Sequence, residues 1–304
     1  MKTGFDINML KWDSSNIRNL EGKVVIVTGG NSGIGFETAR ALAARKSEVI
    51  VAVRNRQKGE DAVKQIKAGS KDVKVGIGLL DLADLSSVHE FSEAFKQKYT
   101  RLDLLINNGG VMIPPYGKTA DGFELQFGTN HLGHFSLTGL LFDLIRKTPG
   151  SRIVTVSSNA HRRGNLDFND LDWGKRRYIA FRAYGDSKLA NLYFTYELAR
   201  RTGANPIVAA AHPGWTATEL QRYSSSISFL NKFFAQDSSM GALPTLYAAS
   251  APDVVSGDYF GPSGFMEMRG YPAKVASNRL SHDKDIAAEL WEVSQNLTGV
   301  KFLF

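Results

Sequence analysis

The chain has 304 residues, of which 43% are hydrophobic and 22% charged, and it contains no cysteine. That length and composition suit one large α/β domain or two small ones, exclude a disulfide scaffold and a thiolate metal centre, and permit a reducing compartment. The net charge of +7 favours anionic ligands, but the basic residues are spread in short groups, Arg54/Arg56/Lys58, Arg162/Arg163 and Lys175/Arg176/Arg177. No basic tail and no RNA-binding aromatic signature points to nucleic acid.

Residues 1–20 read as a loosely attached N-terminal arm, and residues 21–304 as one domain. The arm lacks an apolar core of signal-peptide length, and no apolar run is long enough to span a membrane. The expectation is a cytoplasmic protein without an integral membrane segment.

From there short β-branched runs alternate with helical segments. KVVIVT (23–28) predicts a first strand, followed by a glycine turn and a helix over 33–45. EVIVAV (48–53), VKVGIGLL (73–80) and LDLLIN (102–107) predict the next three strands, with helices over 56–67 and 86–98 between them. A helix over 121–147 leads to RIVTVS (152–157), and a helix ending near 201 leads to PIVAAAH (206–212). A weak seventh strand falls at 257–261. Strands apolar on both faces and separated by helices predict a doubly wound, mostly parallel, seven-stranded Rossmann-type sheet covered on both sides. Ligands on such sheets lie beyond the carboxyl ends of the strands.

The strand ends carry polar and small residues. After the first strand, Thr28-Gly29-Gly30-Asn31-Ser32-Gly33-Ile34-Gly35 forms a TGxxxGxG turn into a helix, suited to a pyrophosphate because glycine lets backbone N–H groups approach it. After the second stands Arg54, where an NAD site would carry a carboxylate; a guanidinium suits the 2′-phosphate of NADP(H). Asp81 and Leu82 follow the third strand, where a carboxylate can accept from an adenine amino group. Asn108, Gly109 and Gly110 follow the fourth, where backbone can pass close to a ribose. Ser157 and Ser158 follow the fifth, and Pro213, Gly214, Thr216 and Thr218 follow the sixth. Tyr184 and Lys188 are four apart and share a helix face; the pair is either a surface contact or a proton donor beside a cation.

Taken together and in order, TGGNSGIG, NNGG, NHLGHF, VSS, YGDSK and HPG resemble the short-chain dehydrogenase/reductase family over residues 22–262. The FGTNHLGHF block and the long loop before YGDSK are similar to its retinol dehydrogenase and WW-domain oxidoreductase branch, in a bacterial-type relative. The resemblance implies that Tyr184 is the general acid in reduction and base in oxidation, and that Lys188 lowers its pKa and holds the nicotinamide ribose. It implies that Ser158 bonds the substrate oxygen and that Asn130 holds a water connecting Lys188 to solvent. Gly29, Gly33 and Gly35 would shape the phosphate turn, Asp81 and Leu82 flank adenine, and Pro213 through Thr218 border the nicotinamide. NNGG departs from the usual NNAG at Gly109, and Thr216 stands where Val or Ile is common.

The reading that follows is an NADP(H)-dependent oxidoreductase interconverting an alcohol and a lipophilic, retinoid-like ketone or aldehyde. Its alternatives are an NAD(H)-dependent alcohol dehydrogenase and a catalytically silent nucleotide-sensing protein. The resemblance also implies a homodimer or homotetramer. His131 and His134 read as structural helix residues rather than metal ligands. His161 with Arg162 and Arg163 reads either as a rim of the substrate mouth or as a solvated loop. The stripe Leu220, Tyr223, Ile227, Leu230 and Phe234 reads as an apolar cover over the substrate, or as packing on the core. The 159–180 loop either deepens the pocket or docks as a structural excursion.

Overall fold

The computed structural model describes residues 11–70, 72–216 and 236–304. Thr218 and the Leu220–Phe234 stripe lie outside the described residues.

Eight strands form one sheet: β1 (Val24–Thr28), β2 (Glu48–Val53), β3 (Lys74–Leu79), β4 (Leu104–Asn107), β5 (Arg152–Val156), β6 (Ile207–Ala211), β7 (Tyr259–Pro262) and β8 (Pro272–Lys274). Their order is β3-β2-β1-β4-β5-β6-β7-β8. The first seven run parallel, as the β-branched runs predict; β8 pairs antiparallel with β7, Phe260 opposite Lys274. The sheet therefore has one strand more than expected. Three residues between Gly/Pro-rich turns carry too little pattern to be read as a strand; β8 exists because the edge of β7 offers it partners.

The helices among the described residues are α1 (Gly33–Ala43), α2 (Arg56–Gly69), α3 (Leu85–Lys98), α4 (Leu125–Phe127), α5 (Gly133–Lys147), α6 (Ala180–Thr202), α7 (Ser238–Ser250) and α8 (Lys284–Thr298). Side chains of α1, α2 and α7 pack on one face of the sheet with Val25, Val27, Val49 and Val51. Side chains of α3, α5, α6 and α8 pack on the other with Ile26, Ile50, Leu105 and Ile153. Alternate residues of each strand thus feed two separate cores, so the central strands are apolar throughout. Among the described residues no helix is long and apolar enough to cross a membrane.

Two expectations change. The predicted helix over 121–147 begins later, because Thr119 and Phe123 close a turn (Thr119 N–H to the Phe123 carbonyl, 2.8 Å) and Glu124 caps the Phe127 N–H. A π-helical turn, Gly128–Leu132, then joins α4 to α5. Residues 11–20 of the arm are not loose. Ile17 is buried, Trp12 meets Tyr247 edge-on at 5.0 Å, and the Arg45 guanidinium donates to the Ser14 and Ser15 carbonyls. Two apolar anchors in a polar stretch are too few to give a periodic signal.

Candidate active site

The strand order reverses between β1 and β4, and there a cleft of about 210 Å³ opens at the carboxyl ends of the strands. Its dinucleotide side is built by the turn from β1 into α1. Gly29 and Gly33 adopt φ of +64° and +53°, which only glycine takes without strain. A Cβ on Gly35 would lie 2.3 Å from the Gly29 carbonyl oxygen, so the chain can pass there only without a side chain. Ser32 precedes α1 without capping it, whereas Asn55 and Asp84 cap α2 and α3 through their side chains. The first N–H groups of α1 are thus left to face the cleft, a combination that fits a pyrophosphate.

The turns after β1 and β4 are laced together. Thr28 Oγ1 accepts from Asn108 N at 2.9 Å and Gly109 N at 2.8 Å, and Asn108 Nδ2 donates to the Thr28 carbonyl at 2.8 Å. The glycine at 109 has a packing reason: a Cβ there would stand 3.0 Å from Leu82 Cδ1 and 3.3 Å from Gly29 N. Gly29, Asn31, Ser32, Gly33, Ile34, Gly35, Arg54, Asn108, Gly109, Gly110, Tyr184, Lys188 and Pro213 all line the cleft.

Asn55 and Lys58 line it too, beside Arg54. The basic group Arg54/Arg56/Lys58 was the available signal. Sequence spacing alone did not divide it, whereas the structure turns Arg56 toward Glu60 on α2. Asp81 and Leu82 do not line the cleft. The Asp81 carboxylate accepts from Ala83 N at 2.9 Å, and Leu82 packs beneath Gly109 and Gly133. Gly214 and Thr216 lie behind Pro213. Gly214 packs against the Glu267 and Met268 carbonyls, and the Thr216 hydroxyl donates to the Pro213 carbonyl at 2.8 Å.

The far side of the cleft gathers the remaining residues. Tyr184 and Lys188 are buried on one face of α6, with Lys188 Nζ 5.7 Å from the Tyr184 ring centre. The two serines after β5 diverge. Ser157 Oγ donates to the Lys188 carbonyl at 2.8 Å, while Ser158 reaches the Tyr184 phenol. Burial pushes that phenol up to about 12, and the Ser158 hydroxyl pulls against it. Burial alone lowers the Lys188 ammonium to about 8. Lys188 Nζ donates to the Val156 carbonyl at 3.0 Å.

Asn130 is fully buried in the π-helical turn. Its side chain accepts from Val111 N (2.8 Å) and donates to the Val111 carbonyl (3.0 Å) and Ser187 Oγ (2.9 Å). That uses both amide hydrogens and leaves one lone pair on Oδ1.

The 159–180 loop docks rather than deepening the cleft. Leu166, Phe168 and Leu171 pack on Phe127 and Leu189, Arg176 stacks 3.9 Å over Trp173, and Tyr178 donates to Glu124. His161 is buried and does not rim a mouth. Its Nδ1–H donates to the Ser158 carbonyl at 2.6 Å and its Nε2 accepts from Asn278 N. His131 turns away to Ser294, at 2.8 Å. Among the described residues no group of three His, Cys, Asp or Glu could hold a metal ion.

Comparison with known proteins agrees with this geometry. The short chain dehydrogenase family profile matches residues 23–227. Retinol dehydrogenase 12 of Mus musculus is 43% identical over 289 residues, covering 93% of this chain and 88% of its own. Retinol dehydrogenase 13 of Homo sapiens is 41% identical over 294 residues, covering 93% and 86%. A crystal structure of an uncharacterized protein from Mycobacterium Paratuberculosis superposes with a TM-score of 0.82 at 40% identity, covering 96% of this chain and 99% of that one. A match over two thirds of the chain and relatives above 40% identity leave one conclusion: the chain belongs to the short-chain dehydrogenase/reductase family and is an oxidoreductase of retinol dehydrogenase-like type.

Proposed function

We propose that the protein is an NADP(H)-dependent oxidoreductase that interconverts a lipophilic aldehyde or ketone and its alcohol, with Tyr184 moving the proton. The carrying observation is the convergence of Tyr184, Lys188, Arg54 and Lys58 on one cleft with an uncapped helix N-terminus. When bound, the nicotinamide cofactor supplies or accepts the hydride. Arg54 and Lys58 offer two cations to its 2′-phosphate, and among the described residues no carboxylate lines the cleft beside them. Ser158 orients the carbonyl oxygen beside the phenol. Tyr184 donates its proton to that oxygen in reduction and recovers one in oxidation. Lys188 in its charged form favours the phenolate left behind.

An apolar substrate fits the surroundings. Ile179 and Phe181 are exposed at the start of α6, and Phe265 and Met266 are exposed on the β7–β8 loop. That loop meets both sides of the site, through Asn159 Nδ2 to the Met266 carbonyl and Trp215 N to the Met268 carbonyl. The two retinol dehydrogenase relatives carry apolar-substrate names, which supports the same class. The test follows NADPH oxidation with aldehydes and ketones of graded size and apolarity, retinal included, beside Tyr184→Phe. Turnover of the bulky apolar members that is lost in the variant is the expected result. Turnover confined to small polar carbonyls, or none despite NADPH binding, overturns it.

A further inference from the structure

One buried group between the glycine turn and the π-helical turn, next to residues of both sides of the cleft, has no part in the chemistry above. His134 lies four residues past Asn130, on α5, and is 1% exposed. Its Nδ1 stands 2.9 Å from the Asn130 carbonyl oxygen and its Nε2 stands 2.9 Å from Thr28 Oγ1. The partners fix the tautomer. A carbonyl only accepts, so Nδ1 carries the hydrogen; Nε2 then presents a lone pair, and the Thr28 hydroxyl donates to it. The Ile106 carbonyl, 3.2 Å away, competes for that hydrogen from farther off. Thr28 Oγ1 is thereby saturated, because Asn108 N and Gly109 N already occupy its lone pairs. An imidazolium would press a third donor onto that oxygen. Burial and the charge of Lys188 also oppose protonation, lowering His134 to about 4.

The link runs from the glycine turn, through Thr28 and the imidazole, to the main chain of Asn130. The Asn130 side chain bonds Val111 and Ser187, and Ser187 Oγ in turn donates to the Tyr184 carbonyl at 2.8 Å. Its main-chain carbonyl sits in a π-helical turn, a local irregularity that departs from the regular i→i−4 ladder. The ring of His134 gives that carbonyl a side-chain donor at 2.9 Å.

We propose that His134 is a positioning residue: a neutral imidazole clamp that fixes the Asn130 carbonyl against the Thr28 hydroxyl, and so keeps the proton-transfer side of the cleft in register with its dinucleotide side. The inference rests on the proposed hydride-transfer function for its kinetic readout. Three variants separate the clamp from mere filling of space. His134→Gln carries a donor and an acceptor on a stem long enough to reach both partners. His134→Asn carries the same groups on a shorter stem and can reach one. His134→Phe fills the volume and reaches neither.

His134→Gln keeps most of the wild-type kcat, whereas His134→Asn and His134→Phe lower it by about tenfold to a hundredfold, with the carbonyl KM little changed. Because Thr28→Val removes the other end of the same link, its effect and that of His134→Asn are non-additive in a double-mutant cycle. If His134→Phe does not fold, the polar Asn variant still decides the matter. An Asn variant that turns over like wild type, or an additive cycle, overturns the clamp. So does a fall in Tm across all three variants with kcat unmoved. Should wild type turn over no carbonyl, the functional reading fails instead. The same cycle is then read in the NADPH dissociation constant by fluorescence enhancement, where coupling keeps the clamp and additivity removes it.

Discussion

Lys188 Nζ stands 5.7 Å from the centre of the Tyr184 ring while it donates to the Val156 carbonyl at 3.0 Å. The cation therefore sits beneath the phenol without bonding to it. Burial sets the two groups apart, the phenol near 12 and the ammonium near 8.

A pH profile follows. Between about pH 6 and 10 Tyr184 keeps its proton, and Lys188 is the member of the pair that titrates. Lysine loses its charge as pH rises, so kcat/KM for carbonyl reduction is expected to hold level below about 8 and to fall above it. An alkaline limb that begins only above about pH 9.5 would count against Lys188 as the controlling group.

Removing the proton donor should cost most of the rate. Tyr184→Phe is expected to lower kcat by about a hundredfold to ten-thousandfold while leaving the NADPH dissociation constant within a few-fold of wild type. Comparable turnover in the variant would move the acid/base role to another group.

Arg54 and Lys58 share one edge of the cleft. Charge-assisted bonds to a phosphate contribute about 1.5–3 kcal/mol each, so Arg54→Ala should weaken NADPH binding roughly tenfold or more. NADH binding should barely change. Equal losses for the two nucleotides would show that Arg54 does not meet the 2′-phosphate.

Gly35→Ala puts a Cβ 2.3 Å from the Gly29 carbonyl oxygen and 2.5 Å from Asn108 Nδ2. The neighbour at closest range is backbone, so the turn must shift, at about 1–3 kcal/mol. The expected outcome is a lower Tm together with weakened binding of both nucleotides; wild-type affinity in the variant would refute the close approach.

Asp186 lies within the Tyr184–Lys188 turn, and burial raises its carboxyl to about 6 from the ordinary 3.8. Between those values the folded chain binds a proton that the unfolded chain has released. Stability therefore falls as pH rises through about 4 to 6, by on the order of 2–3 kcal/mol. Asp186→Asn retains an oxygen for Asn165 N, which donates to Asp186 Oδ1 at 2.8 Å. The variant should flatten that slope and raise Tm by about 2–4 °C or more near pH 7.5. A lower Tm there would mean that the attraction of Arg176, 3.9 Å away, outweighs the burial.

The parallel core was readable because both faces of its strands are buried. VVIVT and EVIVAV are apolar throughout, and that pattern does not depend on which neighbour they take. The glycine turn, Arg54, Tyr184 and Lys188 were readable because their spacing is local, within one turn or one helix face. Asp81 also serves locally as a turn residue, its carboxylate accepting from Ala83 N, a bond that a strand-end Asp does not announce in the sequence. His161 was misplaced because a lone histidine in a polar loop gives no sign of its burial; Ser158 and Asn278 are 3 and 117 positions away. The docking of the 159–180 loop rests on Glu124, Gln126 and Tyr178, which no single window contains.

Strand periodicity, the order of the strand-end motifs and the cleft's basic edge are properties of short segments, so the sequence by itself determined the sheet and most of the residues around the cleft. Only the tertiary structure decided that Ser157 turns back to the Lys188 carbonyl, that Tyr184 and Lys188 are both dehydrated, and that His134 joins Asn130 to Thr28. Those outcomes depend on dehydration and on contacts between residues as many as 106 positions apart, and neither quantity is encoded in a local pattern.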